Sequence, residues 1–219
     1  MIRFSRRSTL AAFAALALTA CGQAETGGNV ADVSGPALTD IVIGEADAPI
    51  TIVEYASWTC PACLQFHTDV IPMLKSDYVE TGKVKYIFRE FPTPPQQIAV
   101  AGFSLARCSG AGNYHKTLDS LFGAQTDVLN LVRSGGDVDA ALRGLADQNG
   151  ISGGEFDECL SDTEVRGALV EAIIKADAQG VNATPTVFMN GQKLPGYDWR
   201  SADGMKTILD AKLAELDAE

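Results

Sequence analysis

The sequence predicts an α/β fold in which a strand–helix–strand unit is followed by an inserted helical subdomain, then by a β-hairpin and a closing helix. Three observations carry this. Two β-branched runs, Pro49–Tyr55 and Val84–Phe88, flank one stretch of helical spacing. Alanine-rich helical patterns then continue for about eighty residues, too long for a loop and so a packed unit of its own. Strand character returns at Thr184–Met189 and leads into Asn190-Gly191, the strongest short hairpin signal.

Each element has a local reason. The first strand is bounded by Asp47-Ala48-Pro49 and runs directly into a cysteine pair. From Cys63 to Lys75, Leu64, Phe66, Val70, Ile71 and Leu74 recur at helical spacing, with Pro72 expected to kink the helix. The turn Thr81-Gly82 precedes the second strand. Helices are expected over Gln96–Cys108, Asn113–Ala124, Val138–Asn149, Ser152–Leu160 and Thr163–Gln179, punctuated by Gly110, Gly112, Gly135, Gly136, Gly150 and Gly180. Gln192–Leu194 should pair back antiparallel, and an amphipathic helix should fill Ala202–Leu216. Parallel strands need a crossover helix, and such a sheet needs both faces covered.

The N-terminus reads as an export signal rather than fold. Arg3, Arg6 and Arg7 precede an apolar Leu10–Leu18 too short to span a bilayer. Leu18-Thr19-Ala20-Cys21 resembles a bacterial lipobox, which would put a lipid on Cys21; an ordinary cleavage site is the alternative, although Leu18 is large for it. Ser5–Leu10 resembles a twin-arginine signal, with Thr9 where phenylalanine is usual, against the general secretory route. The expected organisation is a signal peptide over 1–20, a glycine-rich tether over 21–38, a first α/β part over 39–95, a helical insertion over 96–170 and a second α/β part over 171–219. Losing the three arginines takes the net charge from -11 to -14. Nucleic acid is excluded as a partner, because neutralising phosphates needs a basic surface.

Five cysteines are present: Cys21, Cys60, Cys63, Cys108 and Cys159. With Cys21 lipidated and Cys60 beside Cys63, the remaining Cys108 and Cys159 are expected to bridge in an oxidising compartment, against the alternative of two buried free thiols. Closing that loop would stabilise the fold by roughly 4 kcal/mol in the chain-entropy model.

Cys60 and Cys63 admit three readings. As zinc ligands they lack a second close pair, and His67 alone does not complete a site. A structural staple is the second. The third follows from position: a strand-to-helix junction places Cys60 in a first helical turn, where unpaired amides and the helix dipole favour an anion. A thiolate held there is a good attacker and a good leaving group. Pro61 suits that turn, and Cys63, one turn on, is placed to resolve a mixed disulfide. Trp58 either shields the site and touches substrate or stands at its rim; Tyr197 and Trp199 are expected to cap the last helix, and His67 and His115 to face solvent.

Glu54, Cys60-Pro61-Ala62-Cys63, the helical insertion and Thr184-Pro185-Thr186, in that order, resemble the DsbA-like branch of the thioredoxin superfamily over nearly all of Leu38–Leu216. The resemblance implies a thioredoxin fold interrupted by a helical domain, thiol–disulfide oxidoreductase activity and no dissociable cofactor. It implies that Cys60 is the nucleophile and Cys63 the resolving thiol. Pro185 would be a cis-proline facing the pair, Thr184 would offer backbone to a substrate strand, and Glu54 would be a buried acid that relays a proton to Cys63. A trans strand-start proline and a solvated strand-end carboxylate are the plain alternatives. Lys85 is the expected charge partner of Glu54. Ala62 departs from the pattern, since strongly oxidising relatives carry histidine there. Alanine offers the thiolate neither charge nor side-chain hydrogen bond, so a weaker oxidant is expected, with a Cys60 pKa between about 3.5 and about 7. The expected setting is extracytoplasmic, as a lipid-anchored monomer acting on unfolded or folding exported proteins and regenerated by a DsbB-like membrane quinone reductase. The same fold run as a reductase or isomerase is the near alternative; a lipid-tethered peptide- or metal-binding module is the distant one.

Overall fold

The computed structural model describes residues 38–218; the expected signal peptide, the lipidation site Cys21 and the tether up to residue 37 lie outside the described residues. The elements, in chain order, are β1 (Val42–Ile43), β2 (Ile50–Ala56), α1 (Pro61–Asp69), α2 (Ile71–Leu74), β3 (Val84–Glu90), α3 (Gln96–Cys108), α4 (Tyr114–Ser134), α5 (Val138–Gln148), α6 (Gly153–Ser161), α7 (Thr163–Asp177), β4 (Thr186–Met189), β5 (Gln192–Lys193) and α8 (Ala202–Leu216). Among the described residues no helix is long and apolar enough to cross a membrane.

The strands form one mixed sheet in the order β1-β3-β2-β4-β5. β2 and β3 run parallel at its centre and are buried along almost their whole length, as strands covered on both faces must be. β4 lies antiparallel on the other side of β2, with Tyr55 opposite Thr186. That register sets the Thr184-Pro185 loop beside the end of β2 from which the chain enters the cysteine pair. β1, which the sequence reading omitted, is a two-residue strand antiparallel to β3.

The even-numbered side chains of β2 and β3 enter the larger core, among them Ile50, Ile52, Val84, Tyr86 and Phe88, under Phe66, Phe103 and Phe122. The odd-numbered Val53, Tyr55 and Ile87 pack with Phe188, Ala176 and Val181 on the opposite face. The kink expected at Pro72 is a break at Val70 that separates α1 from α2, and a π turn at Lys75–Val79 follows. Proline lacks the amide that would continue the ladder, and its ring crowds the preceding turn.

The helical insertion is closed by side-chain caps. Asp137 accepts from the Ala140 amide, Ser152 and Glu155 form a capping box, and Asp162 accepts from Glu164 and Val165. α4 runs ten residues past the expected end at Ala124, to a left-handed Gly135. The expected boundary at residue 170 falls inside α7. Cys108 and Cys159 are joined by a disulfide, Cα–Cα 5.8 Å, which ties α3 to α6. Glu90 at the end of β3 accepts both forks of Arg107 (2.6 and 2.8 Å) and the Tyr114 hydroxyl (2.7 Å), binding the sheet to α3 and α4.

Three expectations are corrected by packing. Trp199 does not cap α8: Ser201 does, accepting from Gly204, while Trp199 is buried edge-on to Phe66 and Tyr197 is exposed. His67 is not in solvent; it stacks on Phe122 at 4.2 Å and pairs with Asp119 at 3.0 Å. His115 is also largely enclosed, bonded to the Ile41 carbonyl at 3.1 Å, and burial lowers its pKa.

Trp58 is the pin between the two layers. Its ring has no exposed surface, and its Nε1 donates to the Ala99 carbonyl of α3 at 3.0 Å. A β-carbon at Gly102 would sit 2.4 Å from that nitrogen. Gly102→Ala should therefore destabilise the fold by about 2 kcal/mol, read as a fall of roughly 4–8 °C in Tm. An unchanged Tm would mean that α3 moves away without cost.

Candidate active site

Cys60 is the N-cap of α1, in extended backbone (φ -90°, ψ 121°), and Pro61 occupies the first helical turn. No acidic residue stands in that turn. Its carbonyl already accepts from Cys63 and Leu64 at 3.1 and 3.0 Å, so the sulfur projects from the start of the helix where amides are unpaired. Cys60 is half-buried and Cys63 fully buried; both are free thiols.

The two sulfurs differ in acidity because their surroundings differ. Cys60 is lowered to about 5, chiefly by a hydrogen bond from the Cys63 thiol, against the cost of partial burial. Smaller help comes from Thr184 and from the backbone amides of Cys63 and Ala62. The value lies inside the range that the sequence predicts for a motif carrying alanine. Cys63 moves the other way, far above the ordinary thiol range, through burial, its bond to Cys60 and the negative charges of Cys60 and Glu54. One thiol is held as an anion and its neighbour is held protonated.

Glu54 lies in β2 with 1% of its surface exposed. Burial raises its pKa to about 8, opposed by a 2.5 Å hydrogen bond from the Tyr86 hydroxyl and reinforced by the Cys60 charge. Lys85, the expected charge partner, is not near it: Lys85 points to the opposite face and donates to the Ala46 carbonyl at 3.1 Å. Tyr86 takes that place. In the parallel register Tyr86 faces Ile52 and Phe88 faces Glu54, so the tyrosine shares the carboxylate's face and the lysine does not.

Thr184-Pro185 is a cis peptide, and the Thr184 carbonyl lies 3.6 Å from the Cys60 sulfur. The structure thus brings Cys60, Cys63, Glu54, Thr184 and Pro185 together. Trp58 does not join them as a substrate contact, because a ring without exposed surface touches only the core. Ala62 is exposed beside the sulfur.

Gln125 was not singled out by the sequence. It reaches down from α4 and donates to the carbonyls of Trp58 (2.6 Å) and Cys60 (3.0 Å), holding the loop before the nucleophile from the helical layer. Ser57, Thr59 and Thr93 fasten the same loop from below, with Ser57 Oγ 2.9 Å from Thr59 Oγ1 and accepting from the Thr93 amide at 3.2 Å.

A family model described as thioredoxin matches residues 37–211. The chain belongs to the thioredoxin family. A Rickettsia conorii protein named as a "Putative protein-disulfide oxidoreductase" is 32% identical over 180 residues, covering 80% of this chain and 61% of that protein. A Rickettsia bellii protein of the same designation is 30% identical, covering 80% of this chain and 65% of that protein. The chain therefore spans less than two thirds of the length of these curated relatives. Among solved structures, Wolbachia pipientis alpha-DsbA1 superposes with a TM-score of 0.71 at 27% identity, covering 83% of this chain and 95% of that one. The family's strand and helix order, with helices inserted between β3 and β4, is the thioredoxin fold carrying a helical insertion.

Proposed function

We propose that this chain is an extracytoplasmic thiol–disulfide oxidoreductase that introduces disulfides into exported proteins through Cys60-Pro61-Ala62-Cys63. The observation that carries the reading is a half-buried Cys60 at the start of α1 over a fully buried Cys63, a geometry that lowers the pKa of the first thiol and raises that of the second. The names of the relatives point the same way. The Cys108–Cys159 bridge suits an oxidising compartment.

In the oxidised form a substrate thiolate attacks the Cys60 sulfur and breaks the Cys60–Cys63 bond. The electron pair leaves on Cys63, whose sulfur takes a proton relayed through Glu54. A second substrate thiolate attacks the substrate sulfur of the mixed disulfide and expels Cys60 as a thiolate, which its low pKa favours. The substrate has lost two electrons and the pair has gained them. Regeneration falls to a DsbB-like membrane quinone reductase. The protein acts as a lipid-anchored monomer, held to the membrane through Cys21.

Equilibration with glutathione tests the direction. A Cys60 pKa of about 5 sits between those of strong oxidants and thioredoxin, so the reduction potential should fall well above about -270 mV and below about -120 mV. A value near -270 mV would favour the reductase reading.

A further inference from the structure

A cavity of about 500 Å³ opens beside the site, lined by Pro185, Thr186, Lys193, Tyr197, Trp199 and Arg200 among others. Its lining includes Pro185, the residue next to Thr184, whose carbonyl lies 3.6 Å from the Cys60 sulfur. Two cations line it and no acidic residue does. Resting on the oxidoreductase reading, we propose that this cavity is a subsite for an acidic side chain of the substrate polypeptide and that Arg200 recognises its carboxylate.

The local sequence builds the feature. The turn at Gly196, with φ +64°, throws Tyr197 outward, 73% exposed, while Trp199 turns in. Arg200 lies against both rings, its Cζ 4.7 Å from the Tyr197 centroid and 5.0 Å from that of Trp199. A guanidinium stacked on aromatic faces keeps its in-plane N–H groups free, in the fork that a carboxylate fits. Arg200 has no ion pair among the described residues, whereas Arg89, Arg107 and Arg143 are each paired to carboxylates. Its Nε is buried with no hydrogen-bond partner. With Nε enclosed, a carboxylate in the cavity would be met by the two Nη groups of the guanidinium. Lys193, whose ammonium donates to the Gly180 carbonyl at 2.9 Å, adds a second positive charge to the cavity. An extended substrate strand pairing at Thr184 would carry a neighbouring side chain into the cavity mouth.

The test uses the protein oxidised at Cys60–Cys63 and three matched cysteine peptides, with Glu, Gln or Lys flanking the thiol. Exchange rates are divided by each variant's own rate with dithiothreitol. The Glu peptide should react about fivefold faster than Gln, with Lys slower still, and the preference should shrink as salt is raised. Arg200→Gln should bring the Glu-to-Gln ratio to about one, and Arg200→Lys should restore part of it. Equal rates for Glu and Gln in the parent would overturn the proposal, as would an unchanged ratio in Arg200→Gln. Reduced glutathione separates the other carboxylate source: sensitivity of glutathione to Arg200 with indifferent peptides would assign the cavity to the small thiol and reject the polypeptide. If even dithiothreitol is not oxidised, the oxidoreductase reading fails. The subsite is then decided by a serine-for-cysteine Glu peptide, bound about fivefold more weakly by Arg200→Gln if the assignment holds and equally if it does not.

Discussion

Cys60→Ala is expected to reduce disulfide exchange to the uncatalysed background, whereas Cys63→Ala should perform one step and stop. In Cys63→Ala the Cys60 thiolate attacks oxidised glutathione, forms a mixed disulfide and releases one glutathione thiolate. No thiol remains behind it to attack the mixed disulfide, so intact mass should show one glutathione per chain, stable until external thiol is added. In the parent the buried Cys63 completes the second displacement and the adduct does not accumulate. The rate of adduct formation in Cys63→Ala should rise with pH as Cys60 ionises. In the parent the midpoint of Cys60 alkylation should lie near 5 rather than near 8.5, the ordinary thiol value. Loss of the Cys63 thiol removes the largest cause of the low value, so Cys63→Ala should titrate higher than the parent. An alkylation midpoint near 8.5 in the parent would show that the helix start does not hold an anion, and the pair would reduce to a staple.

Local chemistry made much of this legible. The bounds of Gln96–Cys108 and Ala202–Leu216 follow from turn residues and apolar period alone. The Cys60 position at a helix start follows from a strand running into Cys-Pro. What the sequence hid depends on tertiary register or on polar residues in apolar places. The buried face of α4 reads Leu118, Leu121, Phe122, Gln125 and Val128. Gln125 interrupts that stripe, so the helical pattern in the sequence stops one residue before the side chain that bonds two active-site carbonyls. Lys85 and Tyr86 are neighbours on one strand and must point to opposite faces. Which of them meets Glu54 is fixed by pairing Glu54 with Phe88, a quantity that neither strand carries by itself. The burial of Trp58 is hidden for a related reason: nearness to the cysteines in sequence says nothing about which layer closes over the ring.

Glu54→Gln should change how stability depends on pH more than any other single substitution at the site. The carboxyl titrates near 4.5 when unfolded and at about 8 when buried. Between those values the folded chain holds a proton that the unfolded chain has released, so stability falls as pH rises. The stabilising contribution is complete below about 4.5 and is lost through about 8, on the order of 5 kcal/mol across the window. Cys60 has the opposite sign: its folded pKa of about 5 is depressed, so its contribution is present above the ordinary thiol value and is lost as pH falls through 5. In the reduced parent the two slopes oppose each other over roughly pH 5–8, and urea denaturation should find nearly flat stability. Glu54→Gln keeps a neutral partner for Tyr86 and removes the falling slope, so its stability should climb across that window. The oxidised protein has lost the Cys60 titration but keeps the burial that dominates Glu54, so its stability should fall. Parallel curves for the parent and Glu54→Gln would mean that the carboxyl is ionised in the fold. The widening gap between reduced and oxidised chains would then have to come from Cys60 alone, and Glu54 could not hold the proton that Cys63 needs.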